Sequence, residues 1–312
     1  MPRPPRFPDF FVVGAPRCGT TSFCRYLARN PQVCFSQPKE PHYFTRLDHD
    51  PSDVELQRDY LDRYFGHYDN AHRAVGEGSV SYLYLPDVIE RIRRINPEAR
   101  FIALVRNPLQ MLPSYHLKML YLLQEDEPDL AKAWALEAVR ARGNQVPKLC
   151  LDRRLLMYSE AAKLGAQVQR LYDIAGRDRA HVVVFDDLAS DPLGVYRRAL
   201  DFIGVDYDGQ THFEQRYASR MYRHRWLQRL LYVPATRGGK VVDTLQRRSR
   251  KYNRDGTRRK NWIKRLAGWN KVPASPAPLT PQMQAVVREA LMPDVEHLSK
   301  LLNRDLRHWL AG

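Results

Sequence analysis

The chain has 312 residues, 44% of them hydrophobic and 27% charged, and carries a formal net charge of +15. That length and apolar content supply a large core for one domain, and the absence of an 18-residue apolar run excludes a membrane-spanning helix. The start, Met1-Pro2-Arg3-Pro4-Pro5-Arg6, has no apolar signal-peptide core, and Cys18, Cys24, Cys34 and Cys150 have neither metal-ligand spacing nor a paired framework. The expectation is a cytoplasmic protein with free thiols, no stem or anchor, and no metal.

Apolar periodicity predicts elements in order. Residues 10–14 read as a strand and 20–29 as a helix; 31–50 read as a loop, 53–65 as an amphipathic helix and 73–77 as a short strand. Residues 86–95 read as a helix and 100–105 as a buried strand, followed by helices at 109–123 and 129–141, a long helix at 154–175, a strand at 181–185 and a helix at 192–203. This βα alternation predicts an α/β, three-layer fold with a central parallel sheet flanked by helices. The whole of 1–312 reads as one domain, with a basic irregular segment over about 208–278 and a C-terminal helical segment over about 279–312.

The first strand runs into Gly14-Ala15-Pro16-Arg17-Cys18-Gly19-Thr20-Thr21-Ser22. A strand, a tight glycine-bounded loop and a helix opened by hydroxyl residues form a phosphate cradle. The glycine spacing fits a nucleotide-triphosphate loop, but Thr20 stands where that loop needs its lysine, and the cation is Arg17 inside the loop. Loss of the lysine argues against a magnesium nucleoside triphosphate and for another anion handled without metal. The competing reading is a strand-to-helix turn that holds no ligand.

A second anion site is predicted where Arg106-Asn107-Pro108 ends the strand at 100–105 and Ser114 follows eight residues later. A helix-capping arginine and a buried serine are the alternatives. The run Val182-Val183-Val184-Phe185-Asp186 imitates a magnesium-binding strand end, but without the loop lysine it reads as an ordinary parallel strand.

These segments, together with Lys39-Glu40-Pro41-His42-Tyr43-Phe44 and Gly76-Glu77-Gly78-Ser79-Val80-Ser81-Tyr82-Leu83, resemble in order those of sulfotransferases that use 3′-phosphoadenosine 5′-phosphosulfate (PAPS). The similarity is greatest to bacterial stand-alone members related to the heparan sulfate sulfotransferases, and it implies their P-loop-like fold. It implies transfer of a sulfuryl group to an acceptor hydroxyl, releasing adenosine 3′,5′-bisphosphate. Backbone amides of Cys18, Gly19, Thr20 and Thr21, with the hydroxyls of Thr20, Thr21 and Ser22, would hold the 5′-phosphosulfate. Arg17 would stabilise the leaving oxygen, and Arg106 and Ser114 would bind the 3′-phosphate.

The resemblance puts the general base on Glu40, with His42 beside it on one face of an extended segment. A salt bridge between Glu40 and Lys39 or a loop arginine is the alternative, and His42 reads equally as an orienting residue. Relatives among the heparan enzymes carry a lysine after the glutamate of the third segment; here that position is Gly78, which counts against heparan-type acceptor recognition. Glu77 then either lines the acceptor pocket with Ser79 and Ser81 or braces the turn. A thiolate at Cys18 would be an oxidation hazard if the anion site stabilised it.

Much of the positive charge lies between Arg216 and Lys271. It reads as a solvated face, or as a funnel for an anionic donor and for an anionic acceptor or, by peripheral contact, an anionic membrane surface. No recognised module supports nucleic acid as the partner. The acceptor expected is a glycan, glycolipid or small metabolite hydroxyl, and the oligomeric state is open. A P-loop small-molecule kinase and a non-catalytic polyanion-binding protein are the alternative functions.

Overall fold

The computed structural model describes residues 6–45, 54–214, 219–236 and 262–311. The chain divides into two compact units: one comprises 1–111, 161–217 and 284–312, the other 112–160 and 218–283.

The first unit is built on five parallel strands, β1 (Phe10–Gly14), β2 (Val33–Phe35), β3 (Ala74–Gly78), β4 (Arg100–Val105) and β5 (Ala180–Val184), in the order β2-β3-β1-β4-β5. β1 is central, and Phe10, Phe11, Val12 and Val13 are all fully buried. An apolar run without alternation is what a strand covered on both faces requires. Helices α1 (Thr20–Arg29), α2 (Val54–Phe65) and α3 (Pro86–Ile95) follow β1, β2 and the turn after β3. Pro86 and Pro108 each stand at the first position of a helix, where their missing N–H costs no intrahelical bond.

The α/β fold with a central parallel sheet flanked by helices is the expected one, with local differences, one of them that the helix expected at 129–141 is two, Leu130–Ala135 and Glu137–Ala141. Val33–Phe35, inside the segment read as loop, is the edge strand β2. The long helix expected at 154–175 is a 3₁₀ turn, Arg153–Leu156, and two helices, Tyr158–Ala162 and Leu164–Ala175. Asp294 accounts for the late start of the last of these: its carboxylate accepts the Gly165 and Ala166 N–H groups at 2.7 and 2.9 Å. A further short helix, Phe185–Ser190, follows β5 directly, and the C-terminal helix runs Pro281–Leu302, ahead of a 3₁₀ turn at Arg307–Trp309.

The second unit contains helices Leu130–Ala135, Glu137–Ala141, Arg225–Thr236 and Trp262–Trp269, and an antiparallel pair, β6 (Ser219–Tyr222) with β7 (Lys271–Ala274). Part of the segment read as irregular is therefore regular structure; its residues 215–218 and 237–261 lie outside the described residues. A buried ion pair ties this unit together. Arg140 donates to both oxygens of Glu125 at 2.6 and 2.7 Å, and Glu125 also accepts the Tyr158 hydroxyl at 2.8 Å. Among the described residues no helix is long and apolar enough to cross a membrane.

Candidate functional site

The loop between β1 and α1 starts with Ala15 N–H donating to Leu104 O at 2.6 Å, which fastens it to β4. Arg17 (φ 66°) and Gly19 (φ 86°) take left-handed conformations. A Cβ at Gly19 would come within 3.0 Å of Phe185 and Leu188, so backbone and space both call for glycine there. Gly19 is the N-cap of α1 and offers no side chain to the first-turn amides, and that turn has no acidic residue. The positive end of a ten-residue helix thus opens at the loop.

Thr20 and Ser22 are buried and Thr21 is exposed; the Ser22 hydroxyl is hydrogen-bonded to Tyr26 one turn on. Cys18 is fully buried, with its N–H 3.4 Å from Ala15 O. Burial pushes its thiol up to about 12, against the pull of Arg106 and Arg17. The thiol therefore stays protonated, and the condition for an oxidation-prone Cys18 is not met.

Arg106 leaves the end of β4 and is held on three sides. Its Nη1 donates to Arg17 O at 3.1 Å, its Nε and Nη2 to Gln110 Oε1 at 3.2 Å, and its guanidinium lies 4.1 Å from the Phe185 ring centre. Asn107, whose Oδ1 accepts the Leu109 N–H at 2.8 Å, caps the helix that follows, and the Arg106 contacts fix a cation against the loop. Burial and the Arg106 guanidinium lower the pKa of Arg17, with Cys18 and Glu40 opposing. Two guanidinium groups beside one helix N-terminus repel each other, and a bound dianion relieves that repulsion. Ser114 is buried on the helix Pro108–Tyr121, within the second unit, so its role stays the one the resemblance implies.

The segment that carries Glu40 and His42 is not extended. Glu40 (φ 64°) and His42 (φ 50°) are both left-handed, an unusual pairing for non-glycine residues. Glu40 N–H donates to Gly78 O at 3.0 Å and His42 N–H to Ser79 Oγ at 3.1 Å. These two bonds to the end of β3 wind the segment into a coil. The two side chains nevertheless meet, with His42 Nε2 3.6 Å from Glu40 Oε2, and Lys39 Nζ lies 2.7 Å from Glu40 Oε1. The Lys39 salt bridge raised as an alternative is therefore present. Burial works against ionisation of Glu40, but His42 and Lys39 outweigh it and hold its carboxyl well below the usual carboxylate range. His42 Nδ1 is 2.9 Å from Ser81 Oγ.

Glu77 braces this segment from beneath. It is fully buried; the Tyr60 hydroxyl donates to its Oε2, and Ser79 Oγ donates to its Oε1 at 2.5 Å. Burial raises its pKa, with the hydroxyls of Ser79, Tyr60 and Tyr82 opposing. Tyr82 in turn accepts the Phe44 N–H at 3.3 Å. Sequence reasoning missed Tyr60, which lies on α2 with no local signal for this role. Gly78 has its own reason: a Cβ there would sit 2.7 Å from Cys24 Sγ and 3.1 Å from the Phe35 ring. The lysine that relatives carry has no room on that face.

Asp186 and Asp187, after β5, are committed elsewhere. Asp186 accepts the Trp309 indole N–H at 2.8 Å, and Asp187 pairs with Arg304 at 2.5 Å. β5 pairs with β4 as an ordinary parallel strand. A separate cavity of about 300 Å³ lies at the opposite, amino ends of β1 and β4. Its arginines are engaged, Arg100 with Phe202 O and Arg179 with Glu98. Among the described residues no group of three or more His, Cys, Asp and Glu could hold a metal ion.

Residues 41–209 match the model of the Sulfotransferase family, a stretch that leaves out the loop and Glu40. The chain is similar to the membrane-associated sulfotransferase kil1 of Dictyostelium discoideum, 26% identical over 164 residues, which are 52% of this chain and 33% of that protein. It is 27% identical to carbohydrate sulfotransferase 15 of Mus musculus across 35% of this chain and 27% of that protein. The matches thus span a third or less of these curated relatives. Among solved structures, a sulfotransferase from Alicyclobacillus acidocaldarius superposes with a TM-score of 0.65 and 25% identity, covering 98% of this chain and 100% of that one.

Proposed function

The chain belongs to the sulfotransferase family, and from that premise we propose that it moves a sulfuryl group from PAPS to an acceptor hydroxyl by in-line displacement. One observation carries the reading: Arg17 and Arg106 stand together at a glycine-bounded loop on a helix N-terminus, with the Glu40 carboxylate in the electrostatic surroundings of Arg17. A cationic, amide-lined mouth suits a phosphosulfate, and the carboxylate suits the hydroxyl that must lose a proton.

Bound PAPS supplies the sulfuryl group. The amides of Gly19, Thr20 and Thr21 at the head of α1 hold its 5′-phosphate, and Arg106 holds the 3′-phosphate. Arg17 keeps its proton near neutral pH and stabilises charge on the leaving oxygen without donating to it. Glu40 is a carboxylate because Lys39 and His42 hold it so. Such a weak base suffices, because the hydroxyl becomes strongly acidic as its oxygen bonds to sulfur, and transfer to Glu40 Oε2 turns downhill late in that step. With one ring nitrogen facing Ser81 and the other facing Glu40, His42 orients the carboxylate and is not the base.

This chemistry needs no metal, because the counter-charge comes from arginines and helix amides. The name of carbohydrate sulfotransferase 15 favours a glycan or glycolipid hydroxyl as acceptor, and we place the protein in the cytoplasm. Thermal-shift titration tests the donor. Adenosine 3′,5′-bisphosphate should stabilise the protein without magnesium and at lower concentration than ATP. Stabilisation by magnesium ATP alone would replace this reading with a kinase.

A further inference from the structure

The second unit holds the protein's charge. From Ala218 to Met283 the sequence has 17 Lys and Arg and two Asp and Glu, a net +15 that equals the net charge of all 312 residues. The remainder of the chain is balanced. Its catalytic loop therefore does not account for the basic excess, and within this span the described residues include no acidic side chain at all.

The same span exposes large apolar side chains in one place. Trp226 is 67% exposed, Leu230 62% and Trp269 52%. Trp226 and Leu230 are four residues apart on the helix Arg225–Thr236, so they share one face. Trp269 ends the helix Trp262–Trp269. The His224 ring joins the tryptophans, stacked on Trp269 at 5.3 Å and 6.4 Å from Trp226. Arg220, Arg223, Arg225, Arg229, Arg265 and Lys271 are exposed around them.

This surface is held in shape. Asn270 is fully buried; its side-chain oxygen accepts His224 N–H at 2.9 Å, its backbone carbonyl accepts Arg223 N–H at 2.8 Å, and its side-chain nitrogen donates to Gln228 at 3.2 Å. Gln228 continues to Tyr121 O at 2.8 Å. The β6–β7 pair adjoins it, with Tyr222 opposite Lys271. The tryptophans are therefore set on a braced platform.

We propose that this platform binds the surface of an anionic lipid bilayer, with Trp226, Leu230 and Trp269 entering the interface and the arginines meeting the headgroups. Tryptophan favours the boundary between headgroups and acyl chains, and a row of arginines beside an apolar helix face is the pattern of an interfacial helix. Leu230 decides between the two polyanions that a basic aromatic surface could meet. An exposed leucine gains from acyl chains and offers nothing for stacking on bases. The proposal is independent of the sulfuryl-transfer reading, because vesicle binding is read without turnover.

The test is co-sedimentation of the full-length protein with vesicles of phosphatidylcholine alone or with about one-third phosphatidylglycerol. The protein should sediment with the anionic vesicles, and part of it should remain bound at roughly 0.5 M salt, where exposed charges are screened. The triple variant Trp226→Ser, Leu230→Ser, Trp269→Ser should lose that salt-resistant fraction and weaken overall partition by about tenfold or more. An unchanged circular-dichroism spectrum and melting temperature should show that it is folded. In a second variant, Arg225→Glu with Arg229→Glu should weaken partition at low salt while the tryptophans are intact. No sedimentation of the wild-type protein, or equal partition of wild type and triple variant, overturns the proposal. So does a tryptophan-dependent affinity for single-stranded oligonucleotides without vesicle binding.

Discussion

Ser79 Oγ lies 2.5 Å from Glu77 Oε1 and accepts the His42 N–H at 3.1 Å, so one hydroxyl joins a buried carboxyl to the backbone of the segment that carries Glu40 and His42. Ser79→Ala leaves the amide and the carboxyl each short of a partner, a loss of about 1–3 kcal/mol for a buried polar group. Denaturant unfolding should show that loss. Turnover should fall further than stability accounts for, while affinity for adenosine 3′,5′-bisphosphate stays within about twofold of wild type, since the loop is untouched.

Burial raises the pKa of Glu77, with the Ser79, Tyr60 and Tyr82 hydroxyls opposing. The folded state then binds more protons than the unfolded one, so this residue's contribution to stability declines as pH rises from the unfolded carboxyl value of 4.5 through the raised folded value. Glu77→Gln removes that decline. Denaturation midpoints measured across pH should give a flatter curve for the variant on the alkaline side of 4.5. Parallel curves would show that Glu77 is equally acidic in both states.

His42 and Lys39 outweigh burial and lower the pKa of Glu40, so the sign there is opposite. Stabilisation from ionised Glu40 is present above its unfolded pKa and is lost as pH falls through the lower folded value. The acidic limb of the rate profile due to Glu40 should accordingly lie below the ordinary carboxylate range, and Lys39→Met should move it upward. Glu40→Gln should cut turnover by roughly 10²–10⁴-fold with little change in bisphosphate affinity. Near-normal turnover of that variant would remove Glu40 as the base.

Arg106→Ala distinguishes the two ends of the donor. Affinity for adenosine 3′,5′-bisphosphate should fall by about 1.5–3 kcal/mol, the range for a charged hydrogen bond. Adenosine 5′-phosphosulfate, which lacks the 3′-phosphate, should lose much less in the same calorimetric titration. Because Arg106 also holds Arg17 O at 3.1 Å, equal losses for the two ligands would make it a loop brace alone.

Arg140 and Glu125 form a bidentate pair with side chains 1% and 0% exposed. Arg140→Met strands the carboxylate, and a broken buried pair costs about 3–5 kcal/mol. Arg140, Tyr158 and neighbouring N–H groups outweigh burial and lower the Glu125 pKa. Its stabilisation is thus present above the unfolded pKa and lost as pH falls through the folded one. The variant should show a lower melting temperature at pH 7 and a smaller penalty in acid. A penalty that grows in acid would rule out an ionised Glu125 in the fold.

Local signals accounted for much of the architecture. Residues 10–14 and 100–105 are strands and 86–95 is a helix with the bounds the pattern predicts, because a fully buried strand needs an unbroken apolar run and a helix end is written by proline and capping within one turn. The loop was legible for the same reason: its glycines, arginine and hydroxyls lie within nine consecutive residues, 14–22. What the sequence alone could not disclose depends on partners far along the chain. Asp294 meets Gly165 across 129 positions, Tyr60 reaches Glu77, and Gly78 O together with Ser79 coils a segment that reads as extended. Only tertiary structure could decide that Glu77 braces rather than lines the site, that Gly78 has no space for a lysine, and that Glu40 is a carboxylate held by Lys39 and His42. The Lys39 pairing with Glu40 joins sequence neighbours and could be raised from the sequence, but burial and the coil that brings His42 onto the same carboxylate come from the fold.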